Sequence, residues 1–197
     1  MKIVVLGMET MMSRFSEPAR EANFRGGLGI LNGDIASGFS RLIKSGLDFW
    51  SGTRMDLITP VYHYHWKTRE EVPYGLPAKK VMELNPQVNS NPTIKVLDIE
   101  ETGALIHCLE CPSVFQYLYD LDRWRRLQQE VVFAKTVSLL LKNLEVKPDI
   151  VWLQESHTAL VLEIREDPYF KGTKILFTIH TKSPAGMERF PEQWFMN

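Results

Sequence analysis

Two cysteines in 197 residues are too few for a disulfide framework. The chain therefore reads as a protein of a reducing, cytoplasmic compartment. Charge of a dominant sign is also missing, since 23 Lys and Arg stand against 24 Asp and Glu, a net charge of −1. Without a positive field there is nothing to hold a phosphate backbone, and no nucleic-acid partner is expected. No apolar run approaches the roughly 20 residues of a membrane span, so no membrane partner is expected either. The opening residues, Met1 to Gly7, are too short and too weakly basic for a secretory leader. Low hydrophobicity is absent too: 44% of residues are hydrophobic and 24% charged, which excludes a disordered chain. Metal-binding patterns are thin. Cys108 and Cys111 form a C-x-x-C with no second pair to complete a zinc site, and they fall in an expected strand rather than at a helix start. They read as buried, inert thiols. His63 and His65 share a face but read as a polar loop patch, so no metal is expected.

What is present is alternation. Lys2 to Gly7 (KIVVLG) is a β-branched run read as a buried strand. Residues 8–25, with Pro18, read as a loop holding at most one helical turn. From Gly26 to Ser45 the residues Leu28, Leu31, Ile35, Phe39, Leu42 and Ile43 recur at three and four, one helix face, with Gly46 as the stop. Met55 to Tyr62 reads as a strand that Pro60 should end near Thr59. Residues 74–92, rich in proline and asparagine, read as loop. Thr93 to Ile99 and Ala104 to Leu109 read as a hairpin about Glu101, Thr102 and Gly103. Asp122 to Leu144 is the longest helical pattern, with Arg123, Arg125 and Arg126 on its solvated face. Asp149 to Leu153 reads as a strand, His157 to Arg165 as a short helix and Thr173 to Ile179 as a strand. This order predicts an α/β fold: a Rossmann-like, doubly wound, mainly parallel sheet with helices on both faces and a β-hairpin insertion, one domain over 1–197.

In such a sheet ligands bind at the carboxyl ends of the strands. Three segments fall there: the glycine run Gly26-Gly27-Leu28-Gly29, then Gln154 to His157, then His180-Thr181. Glycines opening a helix bare N–H groups that suit an anion. The spacing matches neither a G-x-G-x-x-G fingerprint nor a Walker loop, and a tight turn that merely starts a helix satisfies it equally. His180, at a strand end, suits a hydrogen bond to a sugar hydroxyl or a carbonyl, and a satisfied loop histidine fits as well. His157 has the same two readings.

Residues 24–34 (FRGGLGILNGD) resemble the aromatic-x-G-G-L-G-V-L-A-G-D signature of the α-glucan phosphorylases, which act on glycogen, starch and maltodextrin. Gly7-Met8-Glu9-Thr10 resembles the S-M-E-F that precedes it. Residues 154–159 (QESHTA) are similar to N-E-G-H-A-A, and residues 177–191 (FTIHTKSPAGMERFP) to T-T-H-T-P-V-P-A-G-x-x-R-F-P. Glycogen and starch synthases share the two-domain GT-B architecture but carry K-x-G-G-L; Phe24 stands where their lysine would be. Asp149-Ile150 and His157 to Leu160 lean toward the synthase pattern P-D-I-x-x-x-H-D-W-H-T-A-L, with Glu155 in place of its aspartate.

The phosphorylase resemblance implies transfer of a glucosyl unit between α-1,4-glucan and phosphate, giving glucose 1-phosphate. Its cofactor would be pyridoxal phosphate, whose lysine lies in a second domain that this chain does not include, so the chain alone is expected to be inactive. By matching, His180 is the catalytic candidate. Gly26, Gly27, Leu28, Gly29, His157 and Thr181 would bind substrate or phosphate, and Asp34 and Glu155 would support them. The partners implied are glucan, phosphate or glucose 1-phosphate, and the C-terminal domain of the same enzyme, with homo-oligomerisation open. Two alternatives remain: the corresponding half of a synthase using a nucleotide-glucose donor, and a non-catalytic glucan-binding module.

Overall fold

The computed structural model describes residues 1–12, 15–73, 76–101, 104–182, 187 and 189–195, without the side chains of Phe49 and Glu101. Among these residues seven strands form one sheet in the order β3-β4-β5-β2-β1-β6-β7. The strands are β1 (Lys2–Leu6), β2 (Arg54–Val61), β3 (Lys80–Leu84), β4 (Ile94–Glu101), β5 (Ala104–Glu110), β6 (Ile150–Gln154) and β7 (Lys174–Thr178). The helices are α1 (Glu17–Asn23), α2 (Gly27–Lys44) and α3 (Arg123–Asn143). Pairing is parallel from β5 through β2, β1 and β6 to β7, and antiparallel for β3, β4 and β5. The expected parallel sheet and its hairpin are both present.

The central strands are apolar on both sides, so each feeds two cores. Val4 and Leu6 of β1 point to one face, where Phe133, Val137 and Leu140 of α3 cover them. Ile3 and Val5 point to the other, beside Ala36 of α2 and Ala19 and Ala22 of α1. This two-sided burial is why the strands read as continuous hydrophobic runs. Cys108 and Cys111 are free and buried, as expected.

Several expectations need correction. The expected loop 8–25 contains a true helix, α1, because Pro18 lies in its first turn, where the missing N–H costs no hydrogen bond. Pro60 does not end β2. Strand β1 stops opposite Ile58, so Pro60 borders only β5 and no neighbour on the β1 side needs its N–H. The expected loop 74–92 holds the antiparallel edge strand β3, a position where short, polar strands are tolerated. Residues Ser156–Glu166 form a 3₁₀ segment and not a regular helix. The buried stripe of α2 is Gly29, Asn32, Ala36 and Ser40. It is rotated away from the large residues expected to face the core; Leu42 is exposed and Leu28, Leu31 and Ile35 are half-buried.

Small residues explain that rotation. A Cβ on Gly7 would lie 2.3 Å from Asn32 Nδ2, and one on Gly29 would lie 2.5 Å from Phe24 Cβ. Contacts this short allow nothing larger than glycine, so α2 approaches the end of β1 along its thin edge. Beyond Lys44 the chain turns at Gly46, whose φ of +74° favours glycine. At the other long helix Asp122 caps α3 by accepting from the N–H groups of Trp124 at 2.9 Å and Arg125 at 3.3 Å.

Candidate functional site

The sheet order places β1 between β2 on one side and β6 on the other, so the chain reverses direction across the sheet at β1. Loops leaving the carboxyl ends of β1, β6 and β7 spread apart there and leave a crevice. A cleft of about 540 Å³ fills it, lined among others by Gly27, Leu28, Tyr119, Glu155, His157 and His180. Thr181 lies in the same wall. Three segments far apart in sequence therefore meet, as the topology implied.

Glu155 joins the β6 and β7 ends. It sits just past β6 in the left-handed region at φ 67°, an uncommon conformation for a residue with a Cβ. Its Oε1 accepts the backbone N–H groups of His180 at 2.7 Å and Thr181 at 2.8 Å. Its Oε2 is buried and has no hydrogen-bond partner among the described residues. Beside it, the fully buried Gln154 accepts from His180 Nε2 at 2.6 Å, which fixes the imidazole plane. His157 is 8% exposed and its ring centroid lies 5.2 Å from that of Tyr119.

On the opposite wall the glycine turn is held from below. Glu9, 1% exposed, accepts the N–H of Gly29 at 2.8 Å and that of Arg25 at 3.3 Å, and Tyr119 donates to the same carboxylate. Burial pushes the Glu9 carboxyl above the usual range, while these donors and nearby His157 pull against that rise. Burial and the Glu9 charge together push the Tyr119 hydroxyl well above the ordinary tyrosine range. The guanidinium of Arg25 lies 4.3 Å from the Trp66 ring centroid, and Arg126 donates through Nε and Nη2 to the Asp120 carbonyl.

Of the expected residues, Gly27, Leu28, Glu155, His157, His180 and Thr181 line the cleft. Gly26 precedes the lining as the N-cap of α2, and Gly29 is buried beneath it. Asp34 is exposed further along α2 and is not brought to the cleft. Residues 183–186 and 188 of the last matched segment lie outside the described residues. Arg126, expected on a solvated face, turns into the cleft instead. Sequence reasoning did not single out Gln154 or Tyr119 and quoted Glu9 only within a motif. Isolated polar residues beside apolar ones carry no periodic signal, and only the strand-end positions of Gln154 and Glu9 marked them. His63 and His65 face Glu110 at 3.8 Å and Glu21 at 3.6 Å, and no metal-binding cluster occurs among the described residues. No helix among them is long and apolar enough to cross a membrane.

A doubly wound sheet with a glycine-led helix start, a buried carboxylate and two histidines at its switch point is the arrangement of a Rossmann-like sugar-transfer domain. The family described as starch synthase catalytic domain matches residues 49–196, most of the chain but not the glycine run. The chain belongs to that family of glycosyltransferases. It is 35% identical over 65 residues to a glycogen synthase of Thermotoga petrophila, covering 30% of this chain and 13% of that protein. It is 30% identical over 92 residues to a maltodextrin phosphorylase of Thermococcus litoralis, covering 40% of this chain and 11% of that one. The catalytic domain of starch synthase IV from Arabidopsis thaliana, solved with ADP and acarbose bound, superposes with a TM-score of 0.56 at 22% identity. That superposition covers 89% of this chain and 33% of the plant chain, and it establishes the GT-B type of fold. The chain thus spans a third or less of each of these relatives.

Proposed function

We propose that this chain is the sugar-facing half of a glycogen- or starch-synthase-type glucosyltransferase, which moves a glucosyl unit from a nucleotide-glucose donor to the end of an α-1,4-glucan. This reverses the order given by the glycine signature, where the phosphorylase came first. The observation that carries the reading is the family match over residues 49–196.

The cleft supplies suitable chemistry. In the transfer the bond from glucosyl C1 to the donor's diphosphate breaks, a bond from C1 to an acceptor hydroxyl oxygen forms, and that hydroxyl's proton is released. Positive charge gathers on the sugar ring and negative charge on the leaving phosphate. Fixed dipoles aimed at those charges lower the barrier most. The first N–H groups of α2 have no acceptor within the helix, so Gly27 and Leu28 offer donors toward the leaving group. His180, held by Gln154, is assigned to a glucosyl hydroxyl or the ring region. The unpaired Oε2 of Glu155 suits a hydroxyl donor, since a buried acceptor without a partner is costly until one arrives. His157 and Thr181 complete that wall, and Asp34 is left without a role.

Donor assays on the full-length protein carrying this chain test the reading. ADP-glucose or UDP-glucose should elongate glucan without added phosphate. Release of glucose 1-phosphate from glucan only when phosphate is supplied would overturn it. That outcome would favour the second reading, a phosphorylase, which the 92-residue match and Phe24 in place of a lysine support. Only that reading needs pyridoxal phosphate, held outside this chain and supplying its phosphate as proton donor.

A further inference from the structure

Glu9 does not line the cleft, yet it touches what does. Its carboxylate takes two N–H groups from opposite ends of the glycine turn, those of Arg25 and Gly29, and its own carbonyl accepts from Asn32 Nδ2 at 2.8 Å. The Gly29 carbonyl in turn accepts from Met11 N–H at 3.0 Å. The turn is therefore stitched to the segment after β1 at both ends. Between the stitched ends stand Gly26 and Gly27, where an added Cβ would meet no atom within 4 Å. That space is the cleft side of the turn.

Tyr119 completes the arrangement. It adopts φ 54°, a strained conformation for tyrosine, and in that conformation its hydroxyl reaches Glu9 while its ring rests against His157. One buried carboxylate thus links the glycine turn, through two N–H groups, to the His157 wall, through one tyrosine. Charged acceptors hold such donors more firmly than neutral ones.

We propose that Glu9 is a positioning residue of the cleft: with Tyr119 it clamps the glycine turn by the Arg25 and Gly29 N–H groups and keeps the Gly27–Leu28 edge open toward the sugar donor. The ligand in this statement rests on the glucosyltransferase reading; the clamp rests on geometry alone.

The test uses Glu9→Gln and Tyr119→Phe in the full-length protein, with two readouts. The first is amide hydrogen exchange. In Glu9→Gln the Arg25 and Gly29 amides should exchange about tenfold faster, while amides of α3 keep their wild-type rates. Tyr119→Phe, which keeps the ring, should give a smaller acceleration at the same two amides, and it stands in if Glu9→Gln does not fold. The second is kcat/KM with ADP-glucose or UDP-glucose, which should fall about tenfold in Glu9→Gln, with the double variant no worse than that single one. Unchanged exchange at Arg25 and Gly29, or an acceleration spread evenly over the protein, would overturn the clamp. A wild type that turns over no nucleotide-glucose would remove the functional reading, and the exchange measurement would still decide the clamp.

Discussion

At the scale of single residues the cleft depends on side chains that hold other groups in place. Glu155 spends one oxygen on the backbone of His180 and Thr181 and keeps the other for the cleft. His180→Ala in the full-length protein should lower kcat by roughly a hundredfold or more. Its melting temperature should stay near that of the wild type, because the side chain is exposed and packs little. Assay and thermal melt on the same preparation check this, and unchanged turnover would remove His180 from the site. His180 could be chosen from the sequence because it ends a strand within a long motif. Glu9 and Tyr119 could not, since their roles arise from contacts across about 110 positions of sequence.

At the scale of elements, neighbouring glycines of α2 divide into two kinds. Gly29 abuts Phe24, so Gly29→Ala must displace the α1–α2 junction and should cost about 1–3 kcal/mol of stability. Gly27 faces open space in the cleft wall, so Gly27→Ala should leave the denaturation midpoint unchanged and weaken binding of nucleotide-glucose or glucan. Chemical denaturation of both variants, with calorimetric titration of the second, separates the two. Gly26, Gly27 and Gly29 look alike in the sequence; the path of Phe24 alone distinguishes them. The same holds for the helix face. Periodicity located α2 but could not say that its thin edge, and not its leucines, would meet the sheet, because close approach to Gly7 outweighs the larger apolar area.

At the scale of the whole molecule, a charged cluster lies in the sheet away from the cleft. His107 on β5 donates from Nδ1 to Asp98 on β4 at 2.6 Å and lies 3.9 Å from Asp56 on β2, which Arg54 also meets at 2.8 Å. Burial alone would lower His107, but the two carboxylates win and raise it; its hydrogen bonds to His107 and Arg54 lower Asp56 against burial. A raised histidine contributes stability that is fully present below its unfolded value of about 6.5 and is lost as pH rises through the folded value. A lowered aspartate contributes stability present above its unfolded value of about 3.9 and lost as pH falls through the folded one. Melting temperature against pH should therefore show the wild type's advantage over His107→Asn shrinking above neutrality. A difference that stays flat from pH 6 to pH 9 would contradict this assignment.

The amino-acid order determined the alternation of strands and helices, since a strand buried on both faces must be apolar throughout and a covering helix must repeat at three and four. It also determined which strand ends carry Glu155, His157 and His180. Tertiary structure decided the rest. Pro60 fits inside β2 because β1 ends two residues earlier in register. Arg126 turns into the cleft because the Asp120 carbonyl draws its guanidinium there. Glu9, Tyr119 and Gln154 acquire their roles only when the ends of β1, β6 and β7 are brought side by side. A hydrogen bond between distant residues leaves no period in the sequence, so its partners become visible only in the folded chain.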